Sequence, residues 1–197
     1  MHAQKADKYL YKGNELYKKQ EYDKSLEQYK EAIKQDPKNP IANFNQGNAL
    51  FRQQQLDNAL ESYNGVIENS SDKAMQEQGF YNKGVALIKQ NKLEESIEAW
   101  KNALKLDPTD LQARENLQKA LRELKKKQEQ QQQQKKEKEK DKDKNQQQNQ
   151  QQQPPPSKLS KQRVEQLLKA LQQKEKEVQD RLQKEKVASP RKPEKDW

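Results

Sequence analysis

The first half of the sequence repeats itself, and this repetition constrains the fold more than any other feature. Three glycines, Gly13, Gly47 and Gly84, each open the same pattern, with spacings of 34 and then 37 residues. A leucine follows each glycine after 3 residues, a small residue after 12 and an aromatic residue after 16. These positions are Leu16, Leu50 and Leu87, then Ser25, Ala59 and Ser96, then Tyr29, Tyr63 and Trp100. Such a period is typical of a stack of small repeated units.

Each unit has the pattern of two amphipathic helices packed antiparallel, with small residues where the backbones approach closely. Two units close with Asp36-Pro37 and Asp107-Pro108, and a proline cannot continue the preceding helix. The three extra residues of the second spacing are expected in the polar turn Asn69–Asp72. The predicted helices cover about residues 4–19, 22–35, 39–53, 56–69, 72–90 and 93–106.

This pattern resembles the tetratricopeptide repeat, with three units over about residues 3–109. The resemblance implies an all-α fold in which the repeats form a short right-handed solenoid. A seventh amphipathic helix carries Leu111, Leu117, Leu121 and Leu124 on one side and is expected to cap the third unit. The predicted solenoid domain is 3–127, with units at about 6–39, 40–76 and 77–109 and the cap at 110–127.

The second half of the chain has a different composition. Residues 1–109 hold 16 basic and 16 acidic side chains, whereas residues 110–197 hold 24 and 15 and so carry the whole net charge of +9. The stretch 128–157 is rich in Gln, Lys, Glu and Pro and is predicted to be a disordered linker, with a helical start that continues the preceding helix as the alternative. An isolated amphipathic helix is predicted over 158–187, with Ser160 as its cap, followed by a flexible tail at 188–197. Whether its apolar stripe docks on a partner, self-associates or folds back on the solenoid is left open by the sequence.

The composition argues against an enzyme. The chain has no Cys and a single His, so it has no disulfide framework and no thiolate metal site. No nucleophile, metal-ligand or phosphate-loop pattern is present in the sequence, and no catalytic residue, metal or cofactor is predicted. No apolar run approaches the ~20 residues that a membrane span needs.

The first helix of each pair is expected to line a concave groove that binds a peptide or helix of a protein partner. Asn side chains can donate to and accept from a peptide backbone, and aromatic rings supply contact area. The alternative is that some of these side chains only pack between neighbouring helices. The predicted groove residues are Asn14, Tyr17, Phe44, Asn45, Asn48, Phe51, Tyr81, Asn82 and Val85.

One variant of the repeat receives chaperone tails, holding a terminal carboxylate with two Asn and three basic side chains. Asn14 and Asn45 match the two Asn positions. The three basic positions fall on Leu10, Gln78 and Asn82, none of which is charged. The sequence therefore disfavours a carboxylate clamp.

The layout also resembles the BatC-type aerotolerance proteins of Bacteroidetes. The similarity rests on the repeats, on Ala113–Leu117 with Leu124, on the Gln/Lys tract, on Val164–Leu171 and on Lys195-Asp196-Trp197. It implies a scaffold that assembles other Bat-type envelope proteins, in a system linked to oxidative-stress tolerance.

Two alternatives remain open from the sequence. The residues Met1-His2-Ala3-Gln4 are similar to those around a signal-peptidase site, which indicates a periplasmic or envelope location, whereas a natural Met1 indicates a cytoplasmic one. The basic distal half suggests a second function, binding to nucleic acid or an acidic surface. Acidic residues interrupt that charge, as in the run from Lys135 to Lys140, and no stacking aromatics accompany it, so nucleic acid is the less favoured partner.

Overall fold

The computed structural model describes residues 2–144 and 160–188, and the regular structure in these two ranges is entirely α-helical. The described helices are α1 (His2–Lys18), α2 (Tyr22–Gln35), α3 (Pro40–Arg52), α4 (Leu56–Asn69), α5 (Lys73–Lys89), α6 (Leu93–Leu106), α7 (Leu111–Lys144) and α8 (Lys161–Ala188). This confirms the predicted all-α fold. Each end of the first six helices lies within two residues of its predicted position.

The first six helices form three hairpins, α1–α2, α3–α4 and α5–α6, and each hairpin also packs on the next. One residue in each hairpin turn has a left-handed backbone, and these residues are Gln20, Gln54 and Asn91. In the first turn the Glu21 amide donates to the Leu16 carbonyl at 3.0 Å, and the equivalent bond recurs in the other two turns. The recurring leucine therefore lies where each first helix is closed by a left-handed C-terminal turn.

An aromatic ring of the second helix lies directly against the backbone of each repeat glycine. A Cβ atom on Gly47 would lie 2.6 Å from Cε1 of Tyr63, closer than real Cβ contacts come. The equivalent distances are 2.4 Å for Gly13 and Tyr29 and 2.5 Å for Gly84 and Trp100. Each glycine thus marks a close approach of the two helices of its hairpin, as the sequence predicts.

The longer second spacing has a different origin from the one expected. The polar residues after Asn69 form a short connection in which Asp72 caps α5, its carboxylate accepting from the Ala74 amide at 3.0 Å. The additional residues lengthen α5 at its start, so Gly84 lies one turn further into its helix than Gly47 does in α3. The turn expected over 69–72 therefore holds none of the extra length.

The seventh helix extends well beyond its predicted end near residue 127. It continues to Lys144, so the first part of the predicted linker is helical, and residues 145–159 of that linker lie outside the described residues. Gln, Lys and Glu have high helix propensity, and neither Gly nor Pro interrupts the sequence before Pro154. Low complexity alone is therefore a poor sign of where a helix ends. The tail from residue 189 onward also lies outside the described residues.

By its contacts the chain divides into two compact units, residues 1–120 and 121–197. In the second unit the Lys125 ammonium lies 3.0 Å from the Glu165 carboxylate, and that of Lys161 lies 3.6 Å from Glu129. The pairing runs in opposite directions along α7 and α8, and Val164 is fully buried. The amphipathic helix was expected to be isolated, but it pairs antiparallel with α7 around residues 125–129.

Replacing Gly47 with alanine is expected to destabilise the repeats by about 1–3 kcal/mol, because the buried ring of Tyr63 must move. Urea unfolding followed by circular dichroism measures this change. Gly65→Ala is the matched control. There the new methyl group lies 3.1 Å from the Asn43 side chain rather than against a buried ring, and the substitution replaces a glycine inside a helix with a better helix former. An equal loss of stability in both variants would contradict the prediction.

Candidate functional site

The predicted groove residues lie on α1, α3 and α5, the first helices of the three hairpins. These helices contact one another along the stack, so their exposed sides form a continuous surface, called here the inner face. All of the nine predicted residues are partly exposed. Leu10 differs, because it is only 7% exposed and belongs to the hydrophobic core.

Asparagines on consecutive first helices hydrogen-bond to one another. The Nδ2 group of Asn45 donates to Oδ1 of Asn14 at 2.9 Å, and the hydroxyl of Tyr29 donates to the same oxygen at 2.9 Å. One repeat further on, Asn82 and Tyr63 both donate to Oδ1 of Asn48, each at 3.0 Å. The Asn14–Asn45 and Asn48–Asn82 pairs are therefore equivalent.

The two tyrosines are fixed as hydrogen-bond donors by their surroundings. Burial raises the pKa of the Tyr29 and Tyr63 hydroxyls above the ordinary value, so both stay protonated at physiological pH. Sequence reasoning identified these rings as packing residues only. Their hydroxyl groups also hold the inner-face asparagines, and the fixed interval of 15 residues between each Asn and its Tyr is the signal that could have revealed this.

The third repeat breaks the pattern. Val85 stands where the first two repeats have Asn14 and Asn48, and it offers no side-chain acceptor. Its ring residue is Trp100, whose indole N–H donates to the backbone carbonyl of Tyr81 at 3.2 Å. Asn116 of α7, 34 residues after Asn82, donates instead to the Tyr81 hydroxyl at 3.2 Å.

Each asparagine pair leaves hydrogen-bonding capacity for a ligand. In the Asn14–Asn45 pair the internal bonds use Oδ1 of Asn14 and Nδ2 of Asn45. Nδ2 of Asn14 therefore remains as a donor and Oδ1 of Asn45 as an acceptor. Rotating both side-chain amides by 180° exchanges these roles but still leaves one donor and one acceptor. A peptide group, or the side chain of Gln or Asn, has the complementary pair of groups.

Aromatic residues lie near the ends of the first helices, each close to a cation from the next repeat. The Arg52 side chain donates to the Tyr17 hydroxyl at 3.4 Å, and the Lys89 ammonium lies 5.2 Å from the centre of the Phe51 ring. The Tyr17 ring also packs edge-on against Tyr22, with their centres 5.3 Å apart. Tyr17 is thus held by Arg52 and Tyr22, and Phe51 by Lys89, and these contacts limit the movement of both rings on the inner face.

A cavity of about 300 Å³ opens on the inner face at the first repeat. It is lined by Tyr11, Asn14, Glu15, Tyr17, Lys18, Tyr29, Asn45 and Asn48. Tyr11, which the sequence analysis did not select, is 71% exposed. The cavity therefore brings four of the predicted residues together, whereas Phe44, Phe51, Tyr81, Asn82 and Val85 lie outside it.

An acidic pair, buried Glu77 and half-buried Asp110, lies at the start of α7. Glu77 of α5 is only 9% exposed, and one of its carboxylate oxygens is buried with no hydrogen-bond partner. Burial, then a hydrogen bond with Asp110 and the charges of Asp110 and Asp107, raise the pKa of Glu77 to about 7. Asp110 also accepts from the amides of Gln112 and Ala113, so the pair lies where α7 begins.

Within residues 2–144 and 160–188, no group of three or more acidic or His side chains is arranged to hold a metal ion. In the same ranges no helix has both the length and the apolar character that crossing a bilayer requires.

Comparison with family models places the repeats along the sequence. A model described as TPR repeat matches residues 13–54, and two described as tetratricopeptide repeat match residues 42–72 and 78–110. A comparison with curated proteins finds no significant relative.

Solved structures with the same architecture come from several proteins. The first TPR of Spaghetti (RPAP3), bound to the HSP90 peptide SRMEEVD, is 27% identical with a TM-score of 0.58, over 62% of this chain and 94% of that one. The second TPR domain of human RPAP3, in complex with the HSP70 peptide SGPTIEEVD, is 25% identical with a TM-score of 0.54, over 61% and 95%. The Arabidopsis OM64 TPR domain is 20% identical with a TM-score of 0.57, over 61% and 97%, and shares the fold.

Stability should fall as the pH rises through Glu77's titration. The folded chain raises the pKa of Glu77 from 4.5 to about 7. The protonated carboxyl group therefore contributes fully to the free energy of unfolding below pH 4.5, and this contribution is lost as the pH rises to about 7. Glu77→Gln removes the ionisable group and should raise the unfolding temperature at pH 8 but change it little at pH 5. Thermal unfolding at both pH values measures this, with the exposed Glu61→Gln as control. Equal effects at both pH values would contradict it.

Proposed function

We propose that this chain is a non-enzymatic scaffold whose inner face holds an extended or helical segment of a protein partner, since its residues 13–72 and 78–110 match models of the tetratricopeptide repeat. The observation that carries this proposal is that two asparagine pairs, Asn14–Asn45 and Asn48–Asn82, form equivalent hydrogen bonds. Each keeps one donor and one acceptor for a ligand, one repeat apart. Structures with this fold bind peptides of HSP90 and HSP70, which supports peptide binding by this chain.

The partner differs in chemistry from those chaperone tails. A terminal carboxylate needs cations, and two of the positions that would supply them hold buried Leu10 and exposed, neutral Gln78. The third, Asn82, is engaged with Asn48. Holding a carboxylate on amides alone leaves its charge without a counterion, which is costly when water is excluded.

The wider role follows the resemblance to BatC-type proteins. We propose that the partners are other Bat-type envelope proteins, that the assembly acts in aerotolerance, and that the chain works in the periplasm or at the envelope. The support is the shared order of repeats, Gln/Lys tract, amphipathic helix and terminal Lys195-Asp196-Trp197. A cytoplasmic location is the alternative.

Binding of nucleic acid is the less favoured function. Two lysines of α7 pair with acidic neighbours of the same helix, Lys119 with Glu115 and Lys127 with Glu123. Such pairing reduces the local positive potential that phosphate binding needs. The basic half is better explained as a solvated, charged segment.

The acidic peptide SRMEEVD is expected to bind this chain weakly, because cations are missing from the matching positions. Gln78→Lys should strengthen binding about tenfold by adding one charge-assisted hydrogen bond. Fluorescence polarisation with the labelled peptide measures both proteins. Tight binding by the natural chain, with no gain in the variant, would contradict the prediction.

Loss of partner capture tests the scaffold itself. Crosslinked affinity capture from the native organism should recover a discrete protein, and the Asn48→Ala, Phe51→Ala double variant should lose it. Because Asn48 also accepts two structural hydrogen bonds, circular dichroism must show that the variant is folded at the capture temperature. Asn58→Ala, Glu61→Ala, at exposed positions of α4, is the matched control. Equal capture by both double variants would contradict binding at the inner face.

A further inference from the structure

The cavity of about 300 Å³ at the first repeat is large enough for part of a ligand. Its aromatic lining consists of Tyr11, Tyr17 and Tyr29. Tyr29 is buried and bonded to Asn14, and Tyr17 is held by Arg52 and Tyr22, so two of its walls are preformed. Tyr11 is 71% exposed, so its ring is the one most available to a ligand.

The side chains that line the cavity carry no net charge. Its charged lining residues are Lys18 and Glu15, and they form an ion pair with each other at 3.1 Å. The remaining lining residues are tyrosines and asparagines. A ligand carrying an unpaired charge would find no unpaired counterion among these lining residues, so a neutral ligand is favoured.

The polar groups of the cavity match an amide. The Asn14–Asn45 pair keeps one donor and one acceptor, which fits a peptide group or the carboxamide of a Gln side chain. Tyrosine rings arranged around such groups suit proline, because Pro-rich segments are already extended and dock in aromatic-lined grooves. The carbonyl groups of such a segment are unpaired and can accept from amide or phenol donors.

We propose that this cavity binds an uncharged, extended segment containing Pro and Gln, from within a partner chain rather than from its end. Proline rings pack on Tyr11 and Tyr17, and a peptide or Gln amide pairs with Asn14 and Asn45. This deepens the proposed function and rests on it, since it names the chemistry of the segment that the inner face holds.

The test uses a labelled peptide, acetyl-Gln-Gln-Pro-Pro-Gln-Pro-Pro-amide, and the full chain. The chain contains its own Gln-Pro run at residues 150–156, so Pro154, Pro155 and Pro156 are replaced with serine to remove self-competition. Fluorescence polarisation should show saturable binding. Tyr11→Ala should weaken it about tenfold, the usual size for loss of an aromatic contact at a binding site. Leu182→Ala, which also removes an exposed apolar side chain, should leave it unchanged.

Two matched peptides test the chemistry. Replacing the prolines with alanine should weaken binding, and replacing the terminal amide with a free carboxylate should not strengthen it. The inference is overturned if the first peptide does not bind, if Tyr11→Ala binds it as well as the parent chain does, or if the carboxylate form binds more tightly. Any of these results would overturn only the inference about the segment's chemistry. The scaffold proposal would still hold if the Asn48→Ala, Phe51→Ala variant loses its captured partner.

Discussion

The arrangement of the repeats depends on the contact between a bare glycine backbone and an aromatic ring. At Gly13 and Gly47 the ring lies where a side chain would otherwise be, and this brings the two helices of the hairpin close together. The same ring reaches past the glycine to the next residue, where its hydroxyl donates to Asn14 or Asn48. One contact therefore sets both the distance between the helices and the orientation of the asparagine on the inner face.

The third repeat shows what this coupling requires. It keeps Gly84 and its ring contact, but the ring belongs to Trp100 and the next residue is Val85. The indole N–H bonds to a backbone carbonyl instead, so packing is preserved while the inner-face asparagine is lost. Helix packing and the orientation of an inner-face asparagine therefore depend on the same residue pair in two repeats and are separated in the third.

Much of the fold could be predicted because it follows from local periodicity. The helices of the three hairpins depend on recurring Leu, Gly and aromatic positions, and their bounds were predicted closely. The end of α7 could not be predicted from composition, since Gln and Lys favour both solvation and helix. The pairing of α8 with α7 depends on contacts between distant residues, such as Lys125 with Glu165, which no short pattern shows. On the inner face the sequence indicated Asn14 and Asn45 but not their bond, because side-chain geometry decides which amide accepts.

The inter-repeat bonds also determine how force would pass along the stack. The first two junctions share three types of tie: an asparagine pair, a cation beside an aromatic ring, and a Gln–Asp hydrogen bond, as in Gln53 with Asp23 and Gln90 with Asp57. At the third junction Val85 and Ile88 replace the asparagine and the aromatic residue of the preceding repeat. There the Asn116–Tyr81 hydrogen bond is the counterpart of those ties, and apolar side chains of α7 such as Leu117 and Leu121 are buried. A load carried along the stack would therefore pass through different kinds of bond at its two ends.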